Sequence, residues 1–150
     1  MKIGIGFLAI FLFLFSTAVY SQDISLCQLI GKDSKEVIKK FGKPLHHDKS
    51  NPAMECIYYQ TKNSRMAFIA DQDGVYQIQV DFMYDSEKNA RKAIDEFLSE
   101  CGTRSLKVDT LNVSDYKITS SGVKMSLSLF ENTYSKKYEV KFKADRSTIK

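Results

Sequence analysis

His46, His47 and Asp48, with Cys56 eight residues further on, are the one cluster of residue types in this 150-residue chain that could hold a metal ion or supply a general base. A metal site needs three or four ligands converging on one point. Adjacent side chains usually diverge, so the spacing reads as a solvated loop after Pro44. Asp71-x-Asp73-Gly74 opens like a calcium loop but lacks the later oxygen ligands and the closing Glu, which makes it a hairpin turn. The chain contains no G-x-S-x-G elbow, no glycine-rich phosphate loop and no C-x-x-C pair. Asn112-Val113-Ser114 is a glycosylation sequon in a loop. No cofactor is implied, no metal site is expected, and the chain does not read as an enzyme.

More informative are residues that interrupt an otherwise regular polar face. Phe130 shares its strand phase with Lys124, Ser126 and Ser128, and Tyr58 and Tyr134 are aromatics expected to face solvent. Exposed aromatics on an open sheet are the usual anchors of a protein interface. Tyr58, Phe130 and Tyr134, with Lys124 and Lys137 nearby, are therefore the candidate contacts.

These side chains must be positioned by strands and two helices. Asp33 with Glu36 three residues later makes a capping box, Val37, Ile38 and Phe41 keep helical spacing, and Gly42 and Pro44 stop the helix, which predicts residues 34–41. A longer helix starts after Asp85 or Ser86, carries Ala90, Ala93, Ile94, Phe97, Leu98 and Cys101 at spacings of three and four, and ends at Gly102. Alternation of period two marks strands over Tyr76 to Tyr84, Val123 to Leu129 and Tyr138 to Phe142, each half buried. Further strands are expected at 54–60, 65–70, 104–110 and 115–119. Residues 33–84 thus read as a helix and three strands, and residues 86–144 as a helix and three or four. The fold class is α+β, an antiparallel sheet with two helices packed on one face, in a tandem of two helix-plus-three-strand units.

The first 21 residues read as a cleavable secretory signal. Lys2 supplies the positive start, Ile3 to Phe15 is an uncharged apolar run, and Val19-Tyr20-Ser21 favours cleavage before Gln22. The apolar run is short for a membrane span, and no basic cluster follows it. Cys27, after Leu26, lies too far downstream to be an acylated lipoprotein cysteine. The expectation is an exported protein, periplasmic or secreted and soluble after cleavage, with residues 22–150 as one domain whose halves are 27–84 and 85–144. About 130 residues suffice for a single core.

With Lys2 in the leader, 21 of the 22 basic side chains face 18 acidic ones, a net charge of +3 with both histidines neutral. That is too mild to imply nucleic acid. Lys136, Lys137, Lys141, Lys143, Arg146 and Lys150 crowd the C-terminal stretch, which reads as a solvated edge strand and tail able to touch an anionic envelope surface weakly. Cys27, Cys56 and Cys101 allow one disulfide and one odd thiol in an oxidising compartment, and all three pairings stay open.

Gly31 to Val37, Phe41-Gly42-Lys43-Pro44-Leu45 and Tyr58-Tyr59-Gln60 together form a helix-turn-strand signature. Over about residues 31–60 it resembles the small outer-membrane assembly lipoproteins (the SmpA/OmlA, or BamE-like, family) and the αβ modules of the β-lactamase inhibitor protein. The resemblance implies a fold and a mode of action, protein binding on the open face of a sheet. The functional expectation is an exported non-enzymatic protein-binding module, inhibitor-like or an envelope-assembly adaptor, whose partner is another protein. A periplasmic small-ligand or lipid carrier is the alternative, and a small hydrolase using His46 and His47 a third.

Overall fold

A computed structural model describes residues 24–147, so the leader with its cleavage site, and Lys150, lie outside the described residues. Eight strands form one antiparallel sheet: β1 (His46–Asp48), β2 (Glu55–Gln60), β3 (Ser64–Asp71), β4 (Gly74–Tyr84), β5 (Lys107–Thr110), β6 (Asp115–Ser120), β7 (Val123–Asn132) and β8 (Lys137–Arg146). Their spatial order is β1-β2-β3-β4-β8-β7-β6-β5. Each half is a four-strand meander, and the two meet where β4 pairs with β8. Helix α1 (Ser34–Phe41) precedes the first meander and α2 (Glu87–Thr103) the second.

Both helices form where their caps place them. The Asp33 carboxylate accepts from the Lys35 amide at 2.8 Å, and Gly42, with φ of 79°, turns the chain out of α1. Ser86 caps α2 through the Asn89 amide. The helices lie on one face, as the sequence predicts. Phe41 packs on Phe68 with ring centroids 5.3 Å apart, and Phe97 packs on Phe142 at 5.5 Å. Val80 opposite Phe142 and Phe82 opposite Val140 carry this core across the seam, so the two halves share one apolar cluster. Each such side chain taken fully from water contributes about 1.5–3 kcal/mol.

Three expectations are corrected and one element is new. His46–Asp48 is an edge strand paired with β2, so the first unit has four strands rather than three. A 3₁₀ helix, Ile24–Leu29, precedes α1 and buries Ile24, Leu26 and Leu29. Tyr76 leaves the buried phase of β4: a bulge opposite Ile69 and Ala70 brings Val75 into the core instead. The basic strand β8 is not an edge, because β4 and β7 hydrogen-bond it on both sides.

Candidate functional site

The turn joining β7 to β8 carries the most exposed aromatic residue, and it is held from below. Asn132 ends β7, and its side-chain oxygen accepts from the amides of Tyr134 at 3.0 Å and Ser135 at 3.1 Å. Its backbone carbonyl accepts from Lys136, whose left-handed φ of 57° closes the turn. The side-chain nitrogen of Asn132 donates to Glu139 at 2.8 Å, and Arg65 donates to the other oxygen of the same carboxylate at 3.0 Å. Glu139 is 3% exposed although it lies on the helix-free face, between Met83 on β4 and Phe130 on β7. A buried carboxylate is retained at low cost only when paired and hydrogen-bonded, and Arg65 and Asn132 meet that requirement. The chain of contacts from Arg65 through Glu139 and Asn132 ties the turn to a strand of the other half.

Tyr134 projects from this turn at 98% exposure, and Phe130 is 39% exposed with the Lys141 ammonium 5.5 Å from its ring centre. Lys137 holds Asp85 at 2.5 Å, joining the hairpin to the segment ahead of α2. That ammonium keeps the Asp85 carboxyl below the ordinary aspartate range, first by its hydrogen bond and then by its charge. Phe130, Tyr134 and Lys137 are therefore brought together. The other two candidates are not. Tyr58 on β2 lies four strands from β7, about 19 Å across the sheet, half buried and donating to Gln60. Lys124 lies on the exposed phase of β7 six residues from Phe130, about 20 Å along the strand.

Glu139 escaped sequence reasoning. Its phase assigned it to the wet face, and its burial depends on side chains 74 and 7 residues away. No local pattern announces such a site.

The histidine cluster divides. His47 pairs with Ile57 and shares the helix side of the sheet with Glu55, whose carboxylate lies 2.6 Å from its Nε2, whereas His46 and Asp48 alternate to the other side with Tyr58 and Cys56. Among the described residues no group of three or more such ligands converges. The turn at 71–74 has a mechanical role. Gly74 has φ of 94°, and a Cβ there would lie 2.8 Å from backbone atoms of Gly31 and Lys32. Those two residues bond to the Val75 backbone at 2.7 and 2.8 Å, while Arg146 clasps Asp71 and Asp73. An open hollow of about 660 Å³ beside this turn is lined by charges of both signs, Asp33, Lys35, Lys49 and Glu55 among them.

The C-terminal cations are largely matched: Lys137 with Asp85, Lys141 with Asp81, Lys143 with Asp145 and Arg146 with Asp71. Beneath α2, Phe97 packs on Phe142 with the rings tilted by 56°.

The molecule is thus an α+β protein of two helix-and-meander units sharing one antiparallel sheet. No family model and no curated protein matches the chain. Among solved structures it is similar to an extracellular protein containing an SCP domain from Bacillus anthracis, with a TM-score of 0.48 and 12% identity, over 85% of this chain and 47% of that one. It is also similar to a cysteine-rich secretory protein from Staphylococcus aureus, with a TM-score of 0.38 and 13% identity, over 77% and 44%. The chain spans about half the length of either. These neighbours correct the family expectation, since neither is an outer-membrane assembly lipoprotein or a β-lactamase inhibitor protein. At such scores the likeness assigns this chain neither a family nor an activity. Among the described residues no helix is long and apolar enough to cross a membrane.

Proposed function

We propose that the chain is an exported, non-enzymatic protein-binding module that engages its partner with the β7–β8 end of its helix-free face. One observation carries this reading: Tyr134, 98% exposed, stands on a turn whose backbone is fixed by Asn132 and, beneath it, by the buried Glu139. A turn whose backbone is already ordered has less freedom to lose on docking, and tyrosines are enriched among the residues that dominate interface energetics. Phe130, one strand position below the turn, enlarges the apolar contact. Export rests on the leader-like first 21 residues.

The test compares capture from cell-envelope and culture-fluid fractions by the wild type, by a Phe130→Ala/Tyr134→Ala double variant and by a Tyr58→Ala/Lys124→Ala control. Each protein is first checked for the wild-type melting temperature. The reading expects one partner held by wild type and control and weakened by about 30-fold or more in the tip variant. Equal recovery of the same proteins by all three would overturn it.

A further inference from the structure

Of the three cysteines, one is separated from the others by the sheet itself. Cys56 pairs with Ile69 and Asp48 in the strand phase opposite to that of Ile57 and Tyr59, which are buried beneath the helices, so its side chain belongs to the helix-free face. Cys101 is fully buried on α2, one turn after Phe97, on the face that packs against β4, β7 and β8. Cys27 lies in the 3₁₀ helix, packed against the same core, and that helix contacts both α2 and β4. A bond from Cys56 to either of the others would have to cross a continuous hydrogen-bonded sheet.

We infer that Cys27 and Cys101 form an intramolecular disulfide in the exported protein, with Cys56 left as the odd thiol. The inference rests on export, because the bond needs an oxidising compartment. The step is a thiol–disulfide exchange. The half-buried Cys27 thiolate attacks an external disulfide, one sulfur of which leaves as a thiol. Cys101 then loses its proton and attacks the Cys27 sulfur, expelling the second external thiol. The protein loses two protons and two electrons, and the external disulfide is reduced to two thiols.

The thiols' surroundings agree. The Cys101 thiol is pushed up to about 11 by burial first, with further contributions from Glu100 and Cys27. A thiol held so firmly protonated is a poor first attacker, which assigns the opening step to Cys27. Burial, with the nearby Asp48 carboxylate, also raises the Cys56 thiol and keeps it slow. The bond has a structural use. A six-residue 3₁₀ helix has little stability of its own, yet this one buries Ile24, Leu26 and Leu29. A covalent tie to α2 would hold it on the core.

The test equilibrates purified reduced protein with mixed oxidised and reduced glutathione, blocks remaining thiols by alkylation, and maps peptides by mass spectrometry without reduction. The expected result is a Cys27–Cys101 linked peptide and one alkylated thiol at Cys56, with the same linkage in Cys56→Ser and none in Cys27→Ser or Cys101→Ser. Three alkylated cysteines in folded wild-type protein, or Cys56 found within an intramolecular link, would overturn it. The same map on protein recovered from the exported fraction separates the two claims. A link formed in glutathione but missing in a chain kept inside the cell counts against export and leaves the pairing standing.

Discussion

The two hairpins that end the two meanders occupy equivalent places and have opposite fates. The β3–β4 turn is covered: Gly74 is pressed against Gly31 and Lys32, Val75 is bonded to both, and Arg146 grips Asp71 and the Asp73 carbonyl. The β7–β8 turn meets the segment before its own helix through the exposed Lys137–Asp85 pair, and Tyr134 projects beyond it. The helices differ in parallel. In α1 one residue of eight, Val37, is buried, with Phe41 joining Tyr59 and Phe68 in an aromatic group, whereas α2 buries Ala90, Ile94, Phe97 and Cys101. The first half uses its hairpin to anchor the 3₁₀ helix that completes its core. The second half closes its core mainly with the longer helix α2, which the 3₁₀ helix also touches, and its hairpin is left uncovered. Repeating a topology therefore does not repeat a surface.

Removing one aromatic from each half tests the energetic side most severely. Phe97→Ala should cost about 3–5 kcal/mol, because the ring is 2% exposed and packs on the seam strand β8. Phe41→Ala, at a half-buried position, should cost less. Urea unfolding measures both, and a single transition with coincident probes is expected for each, since the core is continuous. Two separate transitions would show that the halves melt independently.

The turns come next. Gly74→Ala forces a side chain into a left-handed backbone and into contact with the Gly31 and Lys32 backbone, at a cost of about 2–4 kcal/mol. Lys136→Gly removes left-handed strain at the open turn, where flexibility offsets the relief, so a change within about 1 kcal/mol is expected. Thermal unfolding compares them. Equal effects would erase the distinction between a covered and an uncovered hairpin.

The smallest effect belongs to Asp85. Its folded carboxyl titrates below the ordinary aspartate value because Lys137 bonds to it. The sign follows: the pair's contribution is present above the unfolded aspartate pKa and disappears as pH falls through the lower folded one. Following that carboxyl by NMR in Lys137→Ala should show its midpoint moving up toward the ordinary range. An unchanged midpoint would mean that the open hairpin is not tied to the α2 cap region.

Much of the scaffold was legible because its causes are local. Asp33, Gly42 and Ser86 mark helix ends through their own side chains or backbone freedom, and Ile78, Val80 and Phe82 alternate because the pleat has period two. Reading failed where partners lie far along the chain. Three residues at His46–Asp48 are too few to show a period, and the bulge that expels Tyr76 is set by strand pairing. The six residues of Ile24–Leu29 are too few to show a helical period. Of the candidate contacts, the Phe130, Tyr134 and Lys137 grouping could be guessed from hairpin proximity. The remoteness of Tyr58 follows only from a strand order in which the last strand inserts beside the fourth.

That insertion has a consequence for the order of events during synthesis and, for an exported chain, during passage. β8 follows every other strand in the chain yet lies in the middle of the sheet, so the join between the halves cannot form until all preceding strands have been made. The β4–β8 pairs that seal the molecule, from Tyr84 with Tyr138 to Gln77 with Asp145, join residues 54 to 68 positions apart, and topologies rich in such non-local contacts fold slowly. A chain threaded N-terminus first through a narrow translocation channel would hold its two meanders apart until its last strand emerged. The sheet would then close on the far side, as a latch that shuts only after passage.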